Sequence, residues 1–210
     1  MMSMSRLELS VQRKRKTKDP CPECYLHRSL CICDSIPLLD LKTRLCLVIH
    51  AKELKRTTNT GRLAVKALKN SEMRIRGADR DGLDLSDLLS PSYRTVLFYP
   101  SDAAVELNAD FVRQDSRPLQ LIVPDGNWRQ ASKVHYRHKE LKEIPRVKIS
   151  TPNQAVRHLR AETTPEGMAT LEAIAQAYRI IEGVEAGDKL QQLFELKLER
   201  TLKGRGVSIT

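Results

Sequence analysis

The chain has 210 residues, of which 40% are hydrophobic and only 4% aromatic, so one domain with a core of mainly aliphatic side chains is expected. We find no apolar run of roughly 18 residues or more, and we therefore expect no membrane-spanning segment. The formal net charge of +10 predicts a polyanionic partner, and nucleic acid is the commonest one inside cells.

Residues 1–20 form a polar, basic arm that we predict to be flexible. A secretory signal has an apolar stretch after its basic residues, and the arm has no such stretch. We therefore expect a cytoplasmic protein.

Residues 21–40 contain four cysteines, Cys21, Cys24, Cys31 and Cys33, in the pattern C-x2-C-x6-C-x-C. In a cytoplasmic chain, such close thiols favour a metal over disulfides. Two short turns can present four thiolates to one tetrahedral Zn²⁺, and a site closed by four protein ligands is structural. Buried free thiols or a redox pair are the alternatives.

Residues 41–210 alternate between short apolar runs and helical patterns, which predicts one α/β domain. The apolar runs are continuous, as in strands of a parallel sheet that is covered on both faces. The predicted strands are 45–50, 95–99, 119–123 and 146–149, and the predicted helices are 60–70, 127–138, 170–182 and 191–202.

The loop after the third predicted strand contains Asp125, Gly126, Asn127 and Trp128, the last being the single tryptophan of the chain. In parallel sheets, ligands bind beyond the carboxyl ends of strands, so Asp125 is a candidate to accept a proton from a nucleobase or to bind an ammonium group. A simple Asp-Gly turn followed by a core tryptophan is the alternative.

Four blocks in this order resemble the DTW-domain family. They are the cysteine cluster, the segment 52–62 (KELKRTTNTGR), Asp125-x-x-Trp128, and Thr170-Leu171-Glu172-Ala173. The resemblance extends from about residue 21 to residue 182. Asn127 stands where the family usually has threonine.

The resemblance implies a SPOUT-like, mostly parallel α/β fold with a C-terminal trefoil knot. It also implies transfer of the 3-amino-3-carboxypropyl group of S-adenosylmethionine to N3 of a tRNA uridine. Asp125 and Trp128 are the expected catalytic residues. The residues expected to bind S-adenosylmethionine are Tyr99, Pro100, Pro124, Asp125, Thr170, Leu171 and Glu172, although Leu171 could equally be a core residue.

Basic and polar residues near these loops are expected to contact RNA, because lysine and arginine neutralise phosphates. The expected contacts are Lys52, Arg56, Asn59, Arg62, Arg129, Lys133 and Arg137. Solvated helix faces are the alternative for the cations, and helix capping is the alternative for Asn59.

Two other functions are compatible with these patterns: a SPOUT-type RNA methyltransferase, which uses the methyl carbon of the same co-substrate, and a non-catalytic, zinc-dependent RNA-binding protein. The order of the four blocks favours aminocarboxypropyl transfer. The oligomeric state is left open by the sequence, with a monomer favoured by the basic surface.

Overall fold

The computed structural model describes residues 17–77, 83–150 and 168–207. Its strands are β1 (Arg44–His50), β2 (Ser71–Arg76), β3 (Arg94–Phe98), β4 (Val105–Glu106), β5 (Leu119–Asp125) and β6 (Arg146–Lys148). Its α-helices are α1 (Gly61–Ala67), α2 (Ala109–Arg113), α3 (Trp128–Ala131), α4 (Lys133–Arg137), α5 (Thr170–Ile181) and α6 (Val184–Lys203).

The strands form one parallel sheet in the order β2-β1-β5-β3-β6-β4. Strands β1 and β5 lie side by side in its interior, and every residue of β5 is buried. Such burial explains the continuous apolar sequence of these strands, since both faces of the sheet are covered.

Side chains of β1 alternate between two hydrophobic clusters, one on each face of the sheet. Leu45, Leu47 and Ile49 pack in the cluster formed with α1, α5, α6 and part of the cysteine segment. Cys46 and Val48 pack on the opposite face with residues of α3 and α4. The molecule therefore has three layers, with the sheet in the middle.

Helices α5 and α6 form a hairpin joined by a tight turn. Gly183 adopts φ of +103°, which favours glycine, and precedes the first residue of α6. At Gly187 a Cβ would lie 3.1 Å from the carbonyl oxygen of Ala175 and closer still to Arg179. The small residue thus lets the two helices approach closely.

The structure confirms the parallel α/β class and the four predicted strands, and it adds β2 and β4. The predicted helix 127–138 is divided between α3 and α4, with Ser132 between them, and the terminal helix begins earlier, at Val184. The trefoil knot stays a prediction, because residues 151–167 lie outside the described residues. Residues 1–16 of the predicted arm also lie outside them, and the proposed domain boundaries stay predictions.

Helices in the described part of the chain include none with the length and apolarity needed to cross a bilayer.

Candidate active site and metal centre

The connections of the sheet diverge at the carboxyl ends of β1 and β5. The chain leaves β1 through α1 towards β2, whereas it leaves β5 through α3 and α4 towards β6 on the other side. Ligands of open parallel sheets bind at the carboxyl ends of strands at such a point. Asp125, the last residue of β5, lies there opposite Ile49 of β1.

Asp125 is only 6% exposed, and its carboxylate accepts hydrogen bonds on both oxygens. Asn59 Nδ2 donates to Oδ2 at 2.5 Å, and Thr170 Oγ1 donates to Oδ1 at 2.7 Å. Three segments far apart in sequence thus meet at one carboxylate.

The first residues of α1 and α5 contact each other next to Asp125. Thr60 Oγ1 accepts a hydrogen bond from the backbone N–H of Leu171 at 3.1 Å. Gly61 is equally constrained, because a Cβ there would lie 2.9 Å from Oδ2 of Asp125 and 3.1 Å from Cγ2 of Thr170. Only a residue without a side chain fits between the helix start and the carboxylate.

The four cysteine Sγ atoms, those of Cys21, Cys24, Cys31 and Cys33, all lie within 4.8 Å of one another. Sγ of Cys21 is 3.6 Å from that of Cys33, and Sγ of Cys24 is 3.8 Å from that of Cys31. A tetrahedron with Zn–S bonds of about 2.3 Å has S···S edges of about 3.8 Å, so the cluster fits a tetrahedral thiolate site.

The backbone around the first cysteine pair supports metal binding. Backbone N–H groups, that of Cys24 above all, lower the pKa of the Cys21 thiol to about 6, whereas burial raises the pKa of the Cys33 thiol. Tyr25 follows the pair with φ of +57°, and its N–H donates to the carbonyl oxygen of Cys21 at 3.0 Å. This turn directs both thiols to the same side.

Cations of α1 and α6 connect the cysteine segment to the α/β domain. The guanidinium of Arg62 lies 3.9 Å from the ring centroid of Tyr25 and donates to the carbonyl oxygen of Glu23 at 2.8 Å. Lys197 of α6 is completely buried and donates to the carbonyl oxygen of Cys24 at 2.8 Å. Burial lowers the pKa of Lys197 to about 8, and the nearby cysteines act in the opposite direction.

A profile of the DTW domain matches residues 18–202, which include both the cysteine cluster and Asp125. The chain belongs to the DTW family. The family recognised from four sequence blocks is therefore confirmed.

Curated relatives of this DTW chain are named tRNA-uridine aminocarboxypropyltransferase 2. The protein of Macaca fascicularis is 25% identical over 83% of this chain and 60% of its own length. The protein of Mus musculus is 24% identical over 77% of this chain and 56% of its own length. The protein of Drosophila melanogaster is 24% identical over 79% of this chain and 67% of its own length. The chain thus spans somewhat more than half the length of the first two.

Among solved structures, the fold is similar to that of the SAM-dependent rRNA:acp-transferase Tsr3 from Vulcanisaeta distributa. The two chains share 16% identity and a TM-score of 0.47, with 78% of this DTW chain and 79% of the other covered.

The residues expected to bind S-adenosylmethionine lie at the carboxyl ends of β3 and β5 and at the start of α5. Tyr99 and Pro124 are buried, whereas Pro100 is exposed. Leu171 is a fully buried core residue, as its alternative interpretation held. Glu172 is also buried, and its Oε2 accepts a hydrogen bond from the N–H of Ala169, which stabilises the start of α5. Trp128 is the first residue of α3.

The residues expected to contact RNA divide into two groups in this DTW structure. Five are exposed or partly exposed: Lys52, Arg56, Arg129, Lys133 and Arg137. Asn59 is 7% exposed, and its two amide atoms bind Asp125 and the N–H of Arg62. The guanidinium of Arg62 binds the carbonyl oxygens of Glu23 and Leu54. Both side chains thus have partners within the protein, and the RNA contacts expected of them stay predictions.

Sequence reasoning missed two contributors to the DTW site. Gly61 had a detectable signal, since it lies within the block 52–62, but its closeness to Asp125 depends on the packing of β1 against β5. Lys197 had none, because a lysine on a helix is usually exposed.

Proposed function

We propose that this chain transfers the 3-amino-3-carboxypropyl group of S-adenosylmethionine to N3 of a uridine in tRNA. The observation that carries the proposal is the buried carboxylate of Asp125 at the diverging strands β1 and β5, in a chain that belongs to the DTW family. The names of the relatives supply the substrate class.

S-adenosylmethionine supplies an electrophilic Cγ next to its sulfonium, so that N3 forms a bond to Cγ, the C–S bond breaks, N3 loses its proton and 5′-methylthioadenosine leaves. The choice of carbon depends on which one the site presents to the uracil. Asp125 offers a fixed negative charge, which suits either the α-ammonium group of the co-substrate or the N3 proton.

The remaining contributors have supporting roles in this proposal. Tyr99, Pro100, Pro124 and Thr170 border the co-substrate at the carboxyl edge of the sheet, with Trp128 at the start of α3. The exposed cations near this edge bind phosphates of the tRNA. Zn²⁺ held by the four cysteines is structural, because four thiolates leave no coordination position for a substrate.

The test uses total tRNA and S-adenosylmethionine that is labelled either in the methyl group or in the carboxyl group. Only the carboxyl label is expected to enter tRNA. Entry of the methyl label alone would show a methyltransferase, and entry of neither label would favour a binding protein. Mass spectrometry of the digested tRNA locates the modification on N3 of uridine.

The zinc assignment has its own test. We expect metal analysis of the purified protein to give about one zinc per chain and Cys31→Ser to lose it. Cys46→Ser is the matched control, because Cys46 is a core residue of β1 outside the cluster. Equal zinc contents in all three proteins would contradict the assignment.

A further inference from the structure

We propose that Asn59 and Thr170 are positioning residues that hold the carboxylate of Asp125 in the one orientation that transfer requires. The inference rests on the proposed function, because it concerns the same carboxylate. It assigns to Asn59 a role other than the RNA contact predicted from the sequence.

The orientation of the Asn59 amide is determined by the helix that follows it. Its Oδ1 accepts a hydrogen bond from the backbone N–H of Arg62 at 3.3 Å, in the first turn of α1. Because this contact requires an acceptor, the other amide atom, Nδ2, faces Asp125 and donates to Oδ2. Asn59 thereby accepts from the first turn of α1 and also presents a donor to the carboxylate.

The hydroxyl of Thr170 contacts the other oxygen of Asp125, Oδ1, and its position is also fixed by a helix. Thr170 is the first residue of α5, and this helix start is fixed by two hydrogen bonds, from the N–H of Leu171 to Thr60 and from the N–H of Ala169 to Glu172. An ionised carboxylate only accepts, so the hydroxyl donates to Oδ1.

An aspartate needs such donors to keep a single orientation. Rotation about its terminal bond is broad and has no strong staggered preference, so the backbone alone does not fix the plane of the carboxylate. Here each oxygen has its own donor, and the two donors come from segments 66 and 45 residues away in sequence. The two donors together fix the plane of the carboxylate.

The test compares substitutions that keep or remove each donor. Thr170→Val removes the hydroxyl with little change of volume, and Thr170→Ser retains it. Asn59→Ser keeps an acceptor for the start of α1 but is too short to reach Asp125. Asn108→Ser is the matched control, because Asn108 likewise accepts from a helix N–H, that of Phe111 in α2 at 2.9 Å.

We expect Thr170→Val and Asn59→Ser to lower kcat/KM for S-adenosylmethionine by about tenfold to a hundredfold, the usual cost of a misplaced catalytic group. Their Kd for tRNA should equal that of the wild type. Thr170→Ser should recover most of the loss, and Asn108→Ser should match the wild type in kcat/KM. If Asn59 has a purely structural role, Tm will fall in both Asn59→Ser and Asn108→Ser while kcat/KM stays unchanged. That result would overturn the proposal.

Crystal structures of the same variants separate this proposal from the proposed function. If the wild type transfers no label, the proposed function fails. The orientation of Asp125 in the crystal structures then still tests whether Asn59 and Thr170 position its carboxylate. A rotated or disordered carboxylate in Thr170→Val and Asn59→Ser supports it. An unchanged carboxylate in both variants overturns it.

Discussion

Asp125 is surrounded by groups that stabilise a negative charge. Besides the two hydrogen bonds from Asn59 and Thr170, it lies at the first residues of α1 and α5, where the positive ends of helix dipoles point. We expect this negative charge to bind the cationic end of the co-substrate, and a role as general base is the alternative.

Asp125→Asn distinguishes these two roles, since it removes the charge and keeps the volume. Loss of a charge-assisted hydrogen bond worth about 1.5–3 kcal/mol should raise KM for S-adenosylmethionine by roughly tenfold to a hundredfold, with a smaller change in kcat. Steady-state kinetics and calorimetric titration with the co-substrate measure both quantities. Asp110→Asn, on exposed α2, is the control and should have no effect. A fall in kcat at unchanged KM would identify Asp125 as the base instead.

At the same scale, sequence reasoning could find Asp125 but not its partners. Asp125 directly follows a continuous apolar run, and the rule that ligands bind beyond strand ends places it at the site. Asn59 is found only when β1 and β5 pair, because that pairing brings it next to a residue 66 positions away. A local pattern such as a helix cap cannot show that the other amide atom has a second partner.

Among the elements, the cysteine segment packs directly against the α/β domain. Cys21 and Cys24 belong to the same hydrophobic cluster as α1, α5 and α6. Lys66 of α1 forms an ion pair with Glu23, between the two cysteines, and Lys197 of α6 donates to the carbonyl oxygen of Cys24. Two helices distant in sequence therefore orient the turn that presents the first two thiols.

Lys197→Met tests this connection to α6. Methionine fills a similar volume but lacks the ammonium that compensates the charge of four thiolates, and it leaves the Cys24 carbonyl without its lysine donor. We expect metal affinity to fall by about tenfold to a hundredfold, as for other partners of metal ligands. Competition with a chromophoric chelator measures it, with Lys203→Met, exposed near the end of the same helix, as the control. Equal affinities in all three proteins would contradict the connection.

The strands that the sequence did not predict, β2 and β4, both lie at an edge of the sheet. Strand β2 (SEMRIR) lies at the edge of the sheet and is mostly half-exposed, so polar residues interrupt its apolar pattern. Strand β4 at the opposite edge has only two residues, both exposed. Interior strands can be recognised in the sequence as continuous apolar runs, because both of their faces are buried. Edge strands are partly exposed and therefore tolerate polar residues.

For the molecule as a whole, the net charge of +10 predicts RNA binding without locating the surface. The structure places exposed or partly exposed cations on α3 and α4, which follow β5 and Asp125: Arg129, Lys133 and Arg137. Other cations are paired with acids on the far elements, such as Arg113 with Asp110 and Lys189 with Glu185. The surface of α3 and α4 is therefore the one expected to bind the tRNA backbone.

Neutralising cations of this surface should weaken tRNA binding and its dependence on salt. We expect the pair Lys133→Gln with Arg137→Gln to raise Kd and to reduce the slope of log K against log salt by about 0.7–0.9 for each phosphate that the protein no longer neutralises. Filter binding from about 50 to 200 mM salt measures the slope. The pair Arg113→Gln with Lys189→Gln removes the same formal charge elsewhere. Identical slopes for the two pairs would show that tRNA binds through net charge alone.

Tyr136 on α4 is an aromatic side chain that this surface presents to solvent. The residue is 73% exposed, and it stands between His135 and Arg137 in the sequence. It lies near Tyr99, whose pKa is raised by burial and also by Tyr136. An exposed aromatic ring among cations suits stacking on an unpaired base, because modification of N3 requires a uridine that is free of its Watson–Crick partner.

Tyr136→Ala and Tyr136→Phe separate stacking from hydrogen bonding. Stacking contributes about 1–3 kcal/mol per base, so we expect Tyr136→Ala to raise Kd for tRNA about fivefold or more. Tyr136→Phe keeps the ring and should bind like the wild type. The salt slope should stay unchanged in both variants, since no charge is removed, in contrast to the variants at Lys133 and Arg137. Equal weakening in Tyr136→Phe and Tyr136→Ala would show that the hydroxyl, and not the ring, makes the contact.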